Sequence, residues 1–168
     1  MASEKINQKI KENLFAAQTD VVISALNTIK EKGNKLYIPL IFELLNSNPE
    51  EKIIDEIKKL LETVKDKETV PSFIDAIEDK KYKPVQSIIL ATCWQNGLDF
   101  SNYLPLFVDI VINEAWESSF EAFTIIDNMS HFPEDKIVDL ARTKAIKALD
   151  NANEQKAYFL NEILEKLN

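Results

Sequence analysis

The chain has 168 residues, 45% of them hydrophobic and 29% charged, which is typical of a folded globular protein rather than a disordered or membrane-embedded one. The formal net charge is −8, and 19 of the 20 basic residues are lysine, with Arg142 the single arginine. Since arginine is the preferred side chain for forked recognition of phosphates and bases, this composition disfavours a nucleic-acid-binding function.

The sequence also indicates where in the cell the protein is expected. No apolar run approaches the roughly 20 residues that a membrane-spanning helix needs, and residues 1–10 lack the apolar stretch of a signal peptide. A lone cysteine, Cys93, cannot form an internal disulfide, which fits a reducing compartment. We therefore expect one cytoplasmic domain over residues 1–168, with no membrane contact.

The first predicted elements are an N-terminal cap helix over residues 3–18 and a helical hairpin over residues 19–48. Four apolar residues of the hairpin's first helix share one face: Val22, Ala25, Leu26 and Ile29. Gly33 is expected to end that helix. Pro39 lies in the first turn of the second helix, where the amide that proline lacks has no partner inside the helix.

Two further hairpins, over residues 49–80 and 82–114, repeat this plan. Pro71 and Pro105 occupy the place of Pro39 in their second helices, at spacings of 32 and 34 residues, and Gly97 ends the first helix of the later hairpin. An apolar-Pro-x-apolar opening that recurs at this period predicts stacked helical hairpins.

A fourth hairpin is predicted over residues 115–150 and a C-terminal cap helix over residues 152–168. The hairpin's first helix and the cap helix each show an apolar face, comprising Phe120, Phe123, Ile126 and Met129 in the former and Tyr158, Phe159, Ile163, Leu164 and Leu167 in the latter. Terminal helices with a polar outer side prevent stacked repeats from associating end to end.

Three helix openings carry a family resemblance: Ile38-Pro39-Leu40-Ile41, Val70-Pro71-Ser72-Phe73 and Leu104-Pro105-Leu106-Phe107. On these residues the chain resembles HEAT or HEAT-like repeat proteins over about residues 19–150. The resemblance implies an all-α fold, a right-handed superhelical solenoid of about four hairpins whose second helices line a concave surface. Tetratricopeptide repeats have a similar period, but their Trp-x-x-Leu-Gly-x-x-Tyr pattern is absent.

Counted from each proline, one set of positions predicts the core and another predicts a surface. Positions −1, +2, +3 and +6 are apolar in all three hairpins, whereas position +4 carries Glu43, Asp75 and Asp109. With Glu78 and Asp79, these acids would form an acidic stripe along the concave surface, suited to a basic protein or peptide segment. The alternative is a solvated helix face without a partner.

Three aromatic residues complete the predicted partner-binding set. Tyr37 and Tyr103 share position −2, where a tyrosine can pack its ring between hairpins and leave its hydroxyl at the groove mouth. Trp116 begins a helix among charged residues and is a candidate exposed anchor for a partner.

Residues that carry chemistry are sparse. His131 is the single histidine and is expected near a helix end, as a capping partner rather than a catalyst. Two distant glycines cannot form a phosphate-binding loop. The His-Glu motifs of HEAT-like deoxyhypusine hydroxylases are absent, and HEAT-like DNA glycosylases use a basic groove. We therefore expect no catalytic, cofactor or metal site.

The sequence thus predicts a non-catalytic scaffold that binds a protein or basic peptide in a concave acidic groove. Two alternatives stay open. One is an enzyme or small-ligand-binding protein with a pocket of carboxylates and tyrosines, and the other is a self-associating module with an exposed apolar patch on a terminal helix.

Overall fold

The computed structural model describes residues 4–168, and this range is helical with no β-strand. Its ten α-helices are α1 Gln8–Leu14, α2 Thr19–Lys32, α3 Ile38–Asn46, α4 Glu51–Glu62, α5 Val70–Glu78, α6 Gln86–Gln95, α7 Leu104–Asn113, α8 Trp116–Asp127, α9 Asp135–Leu149 and α10 Glu154–Lys166. The all-α prediction is confirmed. The predicted start of the cap helix, Ser3, lies outside the described residues.

None of the helices between residues 4 and 168 has the length and apolar character that a bilayer crossing requires.

The three repeated prolines each lie in the first turn of an α-helix: α3, α5 and α7. One turn of 3₁₀-helix precedes each of them, at Lys35–Tyr37, Lys67–Thr69 and Ser101–Tyr103. Proline fixes φ near the helical value and lacks an amide that would have no intrahelical partner there. The repeated motif therefore marks the starts of these helices.

The two glycines follow helix ends for different physical reasons. Gly97 comes after α6 and has φ +73°, a left-handed conformation that favours glycine. Gly33 follows α2 in an extended conformation, but a Cβ there would lie 2.4 Å from the carbonyl oxygen of Ile29. Gly33 is therefore required by the close approach of the Ile29 carbonyl rather than by its φ angle.

Contacts divide the chain into two compact units, one that ends at Leu98 and one that runs from Asp99 to Asn168. The boundary falls inside the predicted hairpin 82–114, so its helices α6 and α7 belong to different units.

In the first unit, each helix from α2 to α4 packs on the next helix but one, and α1 packs on α2. Helix α1 packs on α2, α2 on α4, and α4 on α6, while α3 contacts α5. Phe42 of α3 and Phe73 of α5 meet edge to face with ring centroids 5.3 Å apart. Such a pair adds about 0.5–1.5 kcal/mol to the stabilisation from burial. The successive hairpins of this unit therefore share an aromatic core.

The second unit is built around α7, which contacts α8, α9 and α10. Leu104, Phe107, Val108 and Val111 of α7 are each 0% exposed. Helix α10, the predicted cap helix, packs on all three of the others.

The core predicted from the proline register is confirmed. All twelve residues at positions −1, +2, +3 and +6 are buried, none exposed by more than 9%: Ile38, Ile41, Phe42, Leu45, Val70, Phe73, Ile74, Ile77, Leu104, Phe107, Val108 and Val111. One face of each second helix is thus fixed by apolar burial.

Candidate functional site

The acids of the predicted stripe lie on three helices and in two units. Glu43 of α3 and Asp75 of α5 belong to the first unit, and Asp109 of α7 belongs to the second. Asp75 is exposed, whereas Glu43 and Asp109 are half-buried. The repeated position therefore has more than one environment.

Glu43 is held by the segment that follows α5. Its Oε1 accepts hydrogen bonds from the ammonium group of Lys81 and, at 2.7 Å, from the hydroxyl of Tyr82. The bond from Lys81, and then that from Tyr82, lowers the pKa of Glu43, because both stabilise the ionised carboxylate. Burial and the bond to Glu43 raise the pKa of Tyr82. Glu43 is therefore an anion that already has a cation beside it.

The end of α5 presents exposed carboxylates at Asp75, Glu78 and Asp79. Within residues 4–168, Asp75 and Glu78 form no ion pair. Asp79 accepts a hydrogen bond from the backbone amide of Lys81 at 2.9 Å and so begins the 3₁₀ segment Lys80–Val85. These three acids are the part of the predicted stripe whose carboxylates face solvent.

Asp109 has a different partner. Both of its carboxylate oxygens accept hydrogen bonds from Lys144 of α9, at 2.9 and 3.0 Å. This pair joins residues 35 positions apart and could not be found from the helix pattern of α7 alone. Because the lysine neutralises the acid, Asp109 does not continue the acidic character of α5.

The two tyrosines differ in burial. Tyr37 is only 3% exposed, and its hydroxyl accepts a hydrogen bond from the backbone amide of Asn7 at 2.7 Å. The structure thus places this hydroxyl beneath the N-terminal segment rather than at an open groove mouth. Tyr103 is half-buried at the start of α7.

Trp116 belongs to an exposed group of rings that we call the aromatic patch: Trp116, Phe120 and Tyr158, exposed by 45%, 42% and 60%. Beneath it lies Phe159, which stacks on Trp116 with centroids 5.4 Å apart and on Phe123 with centroids 4.6 Å apart. Phe120 and Tyr158 were expected on apolar packing faces. The burial of Phe159 between α8 and α10 leaves them at the surface instead.

A cleft of about 440 Å³ opens in the second unit between α7, α9 and α10. Its charged lining, among the described residues, consists of Lys144, Lys147, Lys156 and Asp109. We call it the lysine-lined cleft. Sequence reasoning did not find it, because its lysines come from two helices and the −8 net charge gives no sign of a local excess of cations.

His131 lies in the turn between α8 and α9, where its Nε2 is 3.1 Å from a carboxylate oxygen of Asp99. Hydrogen bonds from Ser101, followed by the contact with His131, lower the pKa of Asp99. The histidine therefore contacts a carboxylate 32 residues away in sequence, and its expected capping role at a helix end stays a prediction.

Two further groups bear on chemistry. Burial raises the pKa of the Cys93 thiol well above its usual value, which keeps it protonated and weakly nucleophilic at neutral pH. Across residues 4–168, no cluster of three or more His, Cys, Asp and Glu side chains is arranged to hold a metal ion.

No protein-family model matches the chain, and no curated protein matches it significantly. The HEAT-like resemblance therefore stays a prediction from the repeat pattern.

Proposed function

We propose that the chain is a non-catalytic scaffold of the HEAT-like solenoid type and that its first unit binds a basic protein segment. The binding surface is the acidic face, which we define as Glu43, Asp75, Glu78 and Asp79. The observation that carries the proposal is the group of exposed carboxylates at the end of α5, of which Asp75 and Glu78 pair with no cation in the described chain.

The contacts of the first unit support a repeat architecture. In a solenoid each repeat contacts only its neighbours, and here α2, α4 and α6 make successive contacts while α3 contacts α5. The apolar register positions of α3 and α5 are buried, and so are Leu44 and Ala76, so Glu43 and Asp75 lie on helices backed by a packed core. A preformed surface of this kind binds a partner with little ordering cost.

The charges suit an electrostatically guided encounter. Asp75, Glu78 and Asp79 are exposed, so their attraction for a cationic segment acts through water and weakens with salt. Glu43 differs, because Lys81 already pairs with it and an incoming lysine or arginine would compete for the carboxylate. The main attraction therefore comes from α5.

The environment of Glu43 argues against a catalytic pocket of carboxylates and tyrosines. A carboxyl group that donates a proton at neutral pH needs a raised pKa, whereas Lys81 and Tyr82 lower the pKa of Glu43. Tyr37 is buried, and its hydroxyl is occupied by the backbone amide of Asn7.

The test is affinity capture from cell lysate with a matched pair of variants. The first reverses the charges of α5, Asp75→Lys with Glu78→Lys. The control makes the same change in net charge on α2 and α4, Glu31→Lys with Asp55→Lys, at two exposed acids. We expect the α5 variant to lose partners that the wild type and the control retain, and we expect higher salt to weaken those same partners.

Peptides that cover the sequences of the captured proteins are then synthesised. Their binding is measured with the purified wild type and both variants. Loss of lysine-rich or arginine-rich peptides by the α5 variant alone supports the acidic face. Equal losses by the two variants would show a general charge effect, and unchanged binding would reject this surface. Circular dichroism verifies that each variant is folded.

The aromatic patch favours a second candidate function, self-association. Large aromatic side chains are enriched at the centres of protein interfaces, and Tyr158 lies on the terminal helix α10 with 60% of its surface exposed. A patch that includes Trp116 and Phe120 offers stacking surface to the same patch of a second copy.

Sedimentation velocity over a range of protein concentrations tests this second candidate. We expect a dimer that Tyr158→Ser weakens. The control is Ile146→Ser, which removes an apolar side chain 54% exposed on α9. A monomer at all concentrations, or equal effects of the two substitutions, would exclude the patch as a self-association surface.

A further inference from the structure

The lysine-lined cleft has the size of a small-molecule site. Its volume of about 440 Å³ falls within the roughly 300–1,000 Å³ range of ligand pockets. A second cleft, in the first unit near Gly33, measures about 180 Å³ and lies below that range. In that smaller cleft Lys35 pairs with Glu68, and Lys65 donates to the carbonyl of Asn96.

The charge of the larger cleft is opposite to that of the whole chain. Three of the described residues that line it are lysines and one, Asp109, is acidic, whereas the chain as a whole carries −8. Both carboxylate oxygens of Asp109 are occupied by Lys144. This pair is neutral, so the charge of the cleft comes from Lys147 and Lys156.

Lys156 is fixed in the wall of the cleft. Its ammonium group donates to the carbonyl oxygens of Ile112 and Glu114, at 2.6 and 2.7 Å, at the end of α7. Burial lowers the pKa of Lys156, as expected for a partly desolvated cation. The two carbonyls and the nearby Glu114 carboxylate, which acts against burial on this pKa, hold the ammonium group in place and offset part of its charge. Of its three N–H donors, one remains for an anion.

Lys147 is the exposed cation of the cleft. It is exposed, lies on α9 and forms no ion pair with any residue from 4 to 168. Its side chain can therefore turn toward a ligand without breaking a contact. A bound anion would be held between this flexible lysine and the fixed Lys156.

The remaining surface of the cleft favours a ligand with an apolar part. Ile112, Ala148 and Ala152 are half-buried in its lining, and the small side chain of Ala148 leaves space beside the lysines. The cleft therefore combines lysine ammonium groups with aliphatic surface. A fully hydrated inorganic anion would leave that aliphatic surface unused.

We propose that the lysine-lined cleft binds a small carboxylic acid that has an apolar body, with the carboxylate at Lys147 and Lys156 and the body against Ile112, Ala148 and Ala152. This site lies in the second unit and is independent of the acidic face of α3 and α5. Either site can be tested without the other.

The first experiment is a titration of the full chain with octanoate, monitored by two-dimensional ¹H–¹⁵N NMR. We expect saturable shifts confined to residues that line the cleft. Acetate supplies the carboxylate without the apolar body, and 1-octanol supplies the body without the charge. Both should bind at least about tenfold more weakly than octanoate, because each loses one of the two attractions.

A matched pair of variants then tests the role of the cation. Lys147→Glu should weaken octanoate binding about tenfold, since reversing one nearby charge is worth on the order of one decade in affinity. Lys136→Glu alters net charge equally on the same helix but lies outside the cleft, and it should leave affinity within about twofold. Ala148→Leu, which fills the space next to the lysines, should also weaken binding.

Several outcomes would overturn the proposal. They are absence of saturable octanoate shifts in the wild type, equal affinity for octanoate and 1-octanol, shifts centred on the aromatic patch, or equal effects of Lys147→Glu and Lys136→Glu. If Lys147→Glu fails to fold, Lys147→Gln and the wild-type comparison of the three probes decide the matter.

Discussion

The acidic face of the first unit and the lysine-lined cleft of the second include the same register position, yet they differ in charge. Four residues after its proline, α3 carries Glu43 and α7 carries Asp109. Glu43 pairs with Lys81 close to the exposed acids of its own unit, and Asp109 pairs with Lys144 next to further lysines. Each of these two acids is therefore offset by a lysine distant in sequence, and the sign of each surface depends on the other charged residues beside that pair.

The difference also separates two kinds of ionic contact. Glu43 meets one cation and one hydroxyl, and its lowered pKa records both. Asp109 meets a single lysine through both oxygens, inside a cleft. Four predictions test whether the core of each unit depends equally on its register positions and whether the units differ in these surfaces.

The largest expected effect is on the core of each unit. Phe73→Ala and Phe107→Ala each remove a ring that is 0% exposed at position +2, and each should lower the free energy of unfolding by about 3–5 kcal/mol. Chemical denaturation, monitored by the fluorescence of Trp94 in the first unit and of Trp116 in the second, measures the loss. A small effect in one unit alone would show that the equivalent register positions do not have equal weight.

The next effect concerns the end of α7. Lys156→Met removes the two hydrogen bonds to the carbonyls of Ile112 and Glu114, and should lower the free energy of unfolding by about 1–3 kcal/mol. Denaturation monitored at Trp116 measures it, with Lys136→Met as the control that touches no such carbonyl. Equal stabilities of the two variants would contradict the structural role of Lys156.

The pH dependence of Glu43 gives a smaller effect with a defined sign. Its folded pKa is lowered, so ionised Glu43 stabilises the fold above its unfolded pKa of about 4.3, and this contribution is lost as pH falls through the lower folded pKa. Lys81→Met should raise the pKa of Glu43 more than Tyr82→Phe does, because Lys81 is the larger cause. A ¹³C NMR titration of the Glu43 carboxyl measures both shifts, and the reverse order would refute this assignment.

The smallest effect concerns the exposed charges. A double-mutant cycle of Asp109→Asn and Lys144→Met should give a coupling free energy of about 0.5 kcal/mol, reduced by solvent screening of these partly exposed groups. Asp75→Asn, which breaks no ion pair, should change the free energy of unfolding by less than about 0.5 kcal/mol. A coupling near zero at Asp109 would mean that its pairing with Lys144 adds no stability.

Local chemistry in the sequence was enough to predict where α3, α5 and α7 begin and which of their faces turn inward. Proline restricts the start of α3, α5 and α7, Gly97 ends α6 in a left-handed conformation, and apolar spacing selects the buried side. These features depend on residues within one or two turns of each other, so their pattern is present in a single stretch of chain. The twelve buried register positions follow directly from it.

The surfaces depend on contacts that local patterns do not contain. Lys81 follows Glu43 by 38 residues and Lys144 follows Asp109 by 35, and neither pairing has a signal in the helix that carries the acid. Tyr37 is covered by Asn7, and Phe159 takes the buried place that leaves Tyr158 exposed. Sequence determined which face of α3, α5 and α7 turns inward because burial acts on every turn of these helices. Tertiary structure decided which charges and rings remain outside, because that depends on which distant segments pack beside them.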